Sequence, residues 1–332
     1  MQKIMFIKIF SVLIVVTLIH CHKKEAGPGP YAYVAYSDLG FRIFDLSEPS
    51  SPEELGFFDD NLYWAYHVKV KDNFAYLVGG TGWTRYLQVF DVSDPLQPKK
   101  IGEKTMSGVA QSIFIDDINS RIYIPTGSYG LYVFDISNPS NPTTIKDYAQ
   151  LSGTKVDVFV SGNYAYIADG ESGLVVLDIS NLDSIRILAH LSIPGFSRAI
   201  RIMGNYGYLM TDYSGLKILD VQNPQSPLQV AEFAPRGWFY GLFVEGDYLY
   251  LCAGDSGVYI LDISAPQNPE LVGRFDTPGA AYDAYKMGNF LYVADGYQGI
   301  LVLDVSNPRR PKYVASKRLP GYHGSAVSIQ IH

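Results

Sequence analysis

Cysteine is nearly absent from this 332-residue chain, with only Cys21 and Cys252 present. One ends an apolar leader and the other falls inside an expected strand, which excludes a disulfide scaffold. Basic residues are also short, at 26 Lys and Arg against 33 Asp and Glu, for a net charge of −7. A chain so acidic has no electrostatic footprint for nucleic acid, and none is expected as a partner. No Gly-x-Ser-x-Gly, His-Glu-x-x-His, Cys-x-x-Cys or phosphate-loop motif occurs, so the common signatures of hydrolases, zinc peptidases, dithiol enzymes and nucleotide binders are missing. No metal or cofactor is expected. Beyond the leader no stretch keeps a 3.6-residue apolar period, which predicts essentially no helix. Aromatics and turn formers are plentiful instead, with 26 Tyr, 17 Phe, 31 Gly and 19 Pro. That balance points to short strands and tight turns.

Residues 1–20 read as a signal peptide. Lys3 and Lys8 precede an apolar run from Ile9 to Ile19, which is too short to span a bilayer as a helix. Leu18-Ile19-His20-Cys21 resembles the bacterial lipobox, in which the cysteine takes a lipid, although His20 stands where that pattern has a small residue. Lipidation at Cys21 is the expectation. Plain secretion, with an incidental cysteine, and an uncleaved anchor are the other readings. Residues 21–30 read as a tether and 31–332 as one domain. The expected address is the bacterial envelope, at the outer membrane or cell surface.

The domain repeats itself. An apolar triplet followed by Asp and a turn recurs at Asp45, Asp91, Asp135, Asp178, Asp220, Asp262 and Asp304, at spacings of 46, 44, 43, 42, 42 and 42 residues. Such periods mark four-stranded propeller blades. One unit shows four expected strands: Ala199–Gly204, Tyr206–Thr211, Leu216–Asp220 and Leu228–Phe233, each ended by Gly, Pro, Asn or Asp. The domain begins with Tyr31–Ala35, which matches the second strand of that unit, and closes with Ala326–Ile331, which matches the first. The two ends therefore complete one blade between them, as a closed ring requires. The expected fold is an all-β, seven-bladed propeller of four-stranded antiparallel blades.

The repeated stretches Gly173-Leu174-Val175-Val176-Leu177-Asp178 and Gly299-Ile300-Leu301-Val302-Leu303-Asp304, with Ala168-Asp169-Gly170 and Ala294-Asp295-Gly296 before them, resemble the LVIVD repeat family. The resemblance implies a bacterial or archaeal surface propeller and carries no catalytic motif with it. The fourth blade departs from the pattern, since Leu182 and Ser184 interrupt the turn bounded elsewhere by Pro139 and Pro142 or by Pro308 and Pro311. A looser edge is expected there.

The seven repeated Asp residues are expected to cap turns, because a residue needed once for chemistry would not recur in every blade. Gly254-Asp255-Ser256-Gly257 resembles a serine-protease nucleophile segment, but its repeat position predicts a hairpin turn. Cys252 should pack as a small apolar residue. Function must then reside where the blades differ. The loops on one face of the ring carry Trp64, Trp83 and Trp238, with Tyr63, Tyr66, Tyr129, Phe239, Tyr240, Tyr282, Tyr297 and Tyr322 close by in sequence. Such aromatics either bind a protein, peptide or glycan or pack neighbouring loops together. Aligned repeats place His67, Ser112, Asp157, Ala199, Gly241, Asp283 and Ala326 at one level of the channel mouth, beside Lys155, Arg198 and His323. The expected ligand-binding residues are Trp64, Tyr66, Trp83, Lys155, Arg198, Trp238, Tyr240 and Tyr282. The alternative is an enzyme of hydrolase or lyase class, with His67, Asp157, Asp283 and His323 as its acid–base candidates.

Overall fold

The computed structural model describes residues 29–37, 39–58, 64–81, 84–151, 153–235, 237–318 and 324–332. The leader, the tether up to residue 28 and Cys21 lie outside these residues, as do Tyr63, Trp83, Tyr322 and His323.

Seven four-stranded antiparallel sheets form a ring. The first sheet has the order Ala326–Ile331, Tyr31–Tyr36, Gly40–Asp45, Glu53–Phe58, so the tail supplies its innermost strand. The register runs from Ala32↔Ile331 to Tyr36↔Ala326. Six further blades follow in chain order. Their innermost strands are Trp64–Lys71, Phe114–Asp116, Asp157–Ser161, Ser197–Met203, Gly241–Glu245 and Asp283–Met287. The fifth blade matches the expected unit closely: Ser197–Met203, Tyr206–Thr211, Gly215–Asp220 and Leu228–Phe233.

Each blade alone would leave two apolar sheet faces in water, and the ring removes both. The buried side chains fall into seven clusters, each between two neighbouring blades. The cluster of Val34, Phe44, Tyr292, Val302 and Ile329 joins the seventh blade to the first and closes the circle. The second strand of every blade places a tyrosine behind the innermost strand: Tyr33, Tyr76, Tyr123, Tyr166, Tyr208, Tyr250 and Tyr292, all at most 3% exposed. Burial raises the pKa of each phenol, to about 12 for Tyr33, Tyr76, Tyr208, Tyr250 and Tyr292.

The repeated Asp residues act alike. Each accepts the backbone N–H two residues on, from Ser47, Ser93, Ser137, Ser180, Gln222, Ser264 and Ser306, at 2.8–3.0 Å. One local bond repeated seven times is turn chemistry and leaves these carboxylates no separate task. Gly254–Gly257 is the expected hairpin turn, with Ser256 N–H donating to the Ala253 carbonyl. Cys252 is fully buried and unpaired. Leu182–Ser184 forms a single 3₁₀ turn, the one helical element among the described residues. Asn181 caps it by accepting Asp183 N–H at 2.9 Å, and Leu182 is buried. The missing prolines are thus replaced by a turn capped by Asn181 and anchored by the buried Leu182.

Candidate functional site at the channel mouth

Strand register decides which residues surround the channel. His67 pairs with Val78, Asp157 with Ala168, Ala199 with Met210, Gly241 with Cys252 and Asp283 with Ala294, all at the same level of their blades. Extending the Phe114↔Tyr123 register places Ser112 there too. In the closing blade the position belongs to Ser328, opposite Ala35. This corrects the expectation for Ala326. Ala326 instead bridges to Gly296 of the preceding blade, as Lys155 does to Gly127, Ser197 to Gly170 and Ala281 to Gly254. These backbone bridges clip one blade to the next.

Side chains two residues further along point the same way on a strand. They form a second level: Lys69, Phe114, Phe159, Arg201, Phe243, Tyr285 and Gln330. Phe114 packs on Phe159 and Phe243 on Tyr285, each pair with ring centroids 4.9 Å apart. Lys69 Nζ donates to Gln330 Oε1 at 2.9 Å. Arg201 donates to Asp157 Oδ2 at 2.6 Å, reaching up to the first level. Two cations, Lys69 and Arg201, therefore stand at this level among aromatic side chains. Above it lies a mouth cavity of about 140 Å³. Below it lie chambers of about 250 and 220 Å³ that share Lys69, Phe159 and Arg201.

The mouth cavity is lined by Tyr66, Arg198, Tyr240 and Tyr282 at its rim, and by His67, Asp157, Arg201 and Asp283 at its floor. Four of the expected ligand-binding residues and three of the acid–base candidates thus meet in one space. Tyr240 meets Tyr282 edge-on at 4.9 Å. The Arg198 guanidinium lies over Phe196 and Tyr240, 5.2 and 5.9 Å from their ring centroids. Trp64 and Trp238 stand outside the cavity, 50% and 56% exposed, with Trp238 against Tyr213. Lys155 departs from expectation. Its ammonium is fully buried, donates to the Leu151 and Gly153 carbonyls at 2.9 Å and faces Asp169 at 3.6 Å, so it does not line the mouth.

The two floor carboxylates share a structural task. Asp157 Oδ2 accepts Ile200 N–H at 3.0 Å, and Asp283 Oδ2 accepts Ile329 N–H at 3.1 Å. In both cases the donor lies on the next blade, one residue past that blade's ring position. Asp283 Oδ1 also accepts Ala284 N–H at 2.9 Å. Burial raises the pKa of Asp283, against the opposing pull of Lys69. Burial pushes Lys69 down to about 8, with Arg201 adding to the fall. His67 is driven well below its usual value by burial and then by Lys69 and Arg201, which leaves it neutral at pH 7. Among the described residues no group of three or more His, Cys, Asp or Glu side chains converges as a metal site would need.

Lys69, Arg201, Ser328 and Gln330 were not singled out from sequence. The signal was present, because each channel strand alternates with a period of two and residues at the first level imply their i+2 partners.

The fold and site define a seven-bladed β-propeller with a small polar cavity under an aromatic rim at one end of its channel. The LVIVD repeat matches this chain at residues 28–60, 64–103, 122–150, 152–188, 194–234, 240–277 and 278–316, and the chain belongs to that family. No curated protein matches it. Among solved structures, the periplasmic gluconolactonase PpgL of Pseudomonas aeruginosa is similar at a TM-score of 0.76 and 12% identity, over 91% of this chain and 98% of that one. A protein from Lactobacillus plantarum aligns at 0.78 and 12%, over 92% and 99%. A putative 6-phosphogluconolactonase from Bacteroides fragilis aligns at 0.71 and 12%, over 93% and 99%. At these identities the likeness is one of fold alone.

Proposed function

We propose that this propeller is a binding module displayed at the bacterial envelope through a lipid on Cys21, and that it captures a protein, peptide or glycan on the face around its channel mouth. One observation carries the reading: Tyr66, Tyr240, Tyr282 and Arg198 converge on a single cavity, with Trp64 and Trp238 exposed on the same face. Amphipathic rings and arginine are the side chains that most often anchor a partner. The apolar leader ending in Cys21 supports export and anchoring.

The enzymatic alternative draws on His67, Asp157 and Asp283 lining that same cavity. Yet Asp157 is committed to Arg201 and Ile200, and Asp283 to Ile329 and Ala284. Neither carboxylate is left as a free base, so binding is the better supported role. Two of the neighbours carry lactonase names, one of them as a putative activity, which motivates testing that chemistry but does not assign it here.

The test is capture on the immobilised full chain from peptide and glycan arrays, comparing wild type with the Trp64→Ala and Trp238→Ala double variant. Loss of capture in the variant, with its circular dichroism unchanged, is the expected result. Equal capture by both would refute the reading. Labelling growing cells with a radioactive fatty acid tests the anchor, and label retained after Cys21→Ala would refute lipidation at that residue.

A further inference from the structure

We propose that the mouth cavity is a binding site for one small polyhydroxylated carboxylate, a sugar acid, with Arg198 on its carboxylate and the Ser112–His67 arc on its hydroxyl groups. This deepens the binding reading above and rests on it.

Size comes first. The cavity holds about 140 Å³. Pockets for drug-sized ligands run to about 300–1,000 Å³. One compact unit fits below the rim, and a folded segment does not.

Charge comes second. The floor is internally neutralised, since Asp157 pairs with Arg201 and the Asp283 carboxylate is held by two backbone N–H groups near Lys69. Arg198 is different. Among the described residues it pairs with no carboxylate, and its guanidinium rests on aromatic rings that leave its charge uncancelled. A lone arginine in an otherwise acidic chain is an anion site, and its planar fork suits a carboxylate. A phosphate, with nearly twice the charge, would call for a second free cation.

Unpartnered polar atoms come third. Among the described residues, Ser112 Oγ, His67 Nδ1 and Arg198 Nε are buried without a hydrogen-bond partner, as is Ser328 Oγ, which shares their level but not the cavity lining. Ser112 is only 5% exposed. Buried polar groups normally find a partner. His67 and Ser112 sit on adjacent blades and both line the cavity, so their unpartnered groups form an arc. Hydroxyl groups and a neutral imidazole both donate and accept, which is the complement of a polyol. Across the cavity Ala199 and Gly241 are the small ring positions, and they leave Tyr240 and Tyr282 free to cover the apolar C–H face of a sugar ring.

The experiment is calorimetric titration of the full chain with glucuronate, glucose, glucose 6-phosphate and an oligosaccharide ending in glucuronate. Binding of glucuronate without binding of glucose supports the site. Arg198→Gln and Arg198→Lys should each weaken glucuronate by at least about tenfold, because lysine cannot reproduce the paired donors. Ser112→Ala should weaken it by about fivefold, the worth of one neutral hydrogen bond. An oligosaccharide that binds as well as free glucuronate identifies the end of a glycan as the source, and binding of the free acid alone identifies a small metabolite. Equal binding of glucose, tighter binding of glucose 6-phosphate or unchanged affinity in Arg198→Gln would overturn the proposal. So would the absence of all binding. If Trp64 and Trp238 still govern capture of an array peptide in that last case, only this inference fails and the broader reading stands.

Discussion

Removing the tail strand tests the ring most directly. Deleting residues 326–332 takes away Ile329 and Ile331, which are 1% and 5% exposed, together with the ladder to Tyr31–Tyr36. Each buried isoleucine contributes roughly 1.5–3 kcal/mol, so the pair alone contributes about 3–6 kcal/mol. The deletion also takes the Ile329 N–H from Asp283 and strips one side of the cluster between the seventh and first blades. A domain has only about 5–15 kcal/mol in total, so the truncated chain should lose most or all of it. It should also expose the Tyr31–Tyr36 edge to other chains and self-associate. Thermal unfolding followed by near-ultraviolet circular dichroism, with light scattering for mass, reads both effects. A synthetic peptide of residues 326–332 added in trans should restore the transition. Because the truncation can fail to fold at all, Ile329→Ala provides a graded version. It should cost about 2–5 kcal/mol, whereas Leu271→Ala, at a side chain 48% exposed on an outer strand, should cost under about 0.5 kcal/mol. A truncated chain that stays monomeric with an unchanged melting temperature, or equal costs at Ile329 and Leu271, would refute closure by the tail.

Three further outcomes are expected. Asp295 is fully buried, accepts Gly279 N–H at 2.9 Å and has its pKa raised by burial to about 6. The fold therefore binds that proton more tightly than the unfolded chain, and stability should fall as pH rises from about 4 to about 6; Asp295→Asn should remove this slope and gain up to about 3 kcal/mol at pH 7 in urea titrations. Gly257 has φ +74°, and a Cβ there would meet the Phe275 carbonyl oxygen, so Gly257→Ala should cost more than about 1 kcal/mol. Asp157→Ala should cost about 2–4 kcal/mol by unpairing Arg201 and Ile200 N–H, with Asp157→Asn costing clearly less; equal costs would show that the inter-blade bond is not what the carboxylate provides.

Much of the fold was legible because the ring repeats one problem seven times. The Asp-turn marker survives in every blade since each outer turn needs the same N–H acceptor, and its spacing alone gave the blade count. The split of the closing blade was readable because Ala326–Ile331 lacks a partner among its sequence neighbours and matches the strand missing before Tyr31. The site was less legible. Alignment without register misplaced the ring position at Ala326, two residues before Ser328, the residue that pairs with Ala35. Lys155 looked like a mouth cation because charge is visible in sequence. The carbonyls of Leu151 and Gly153, which draw it inward, are set by loop backbone and are not visible there.

A repeat fold narrows the search for function by subtraction. Positions that recur, such as the turn-capping Asp residues and the seven buried tyrosines, are occupied by demands that every blade makes. Positions that vary are free of those demands only if the neighbouring blade does not claim them. Asp157 and Asp283 illustrate the difference, since they vary in sequence yet both bind the backbone of the next blade. Ser112 and His67 occupy the same level, and no such bond ties their side-chain atoms Oγ and Nδ1. Arg198 adds a cation that the framework does not neutralise. A residue that varies between blades, is buried and is claimed by no neighbour meets all three conditions, and the arc from His67 to Ser112 facing Arg198 is where they coincide around this channel.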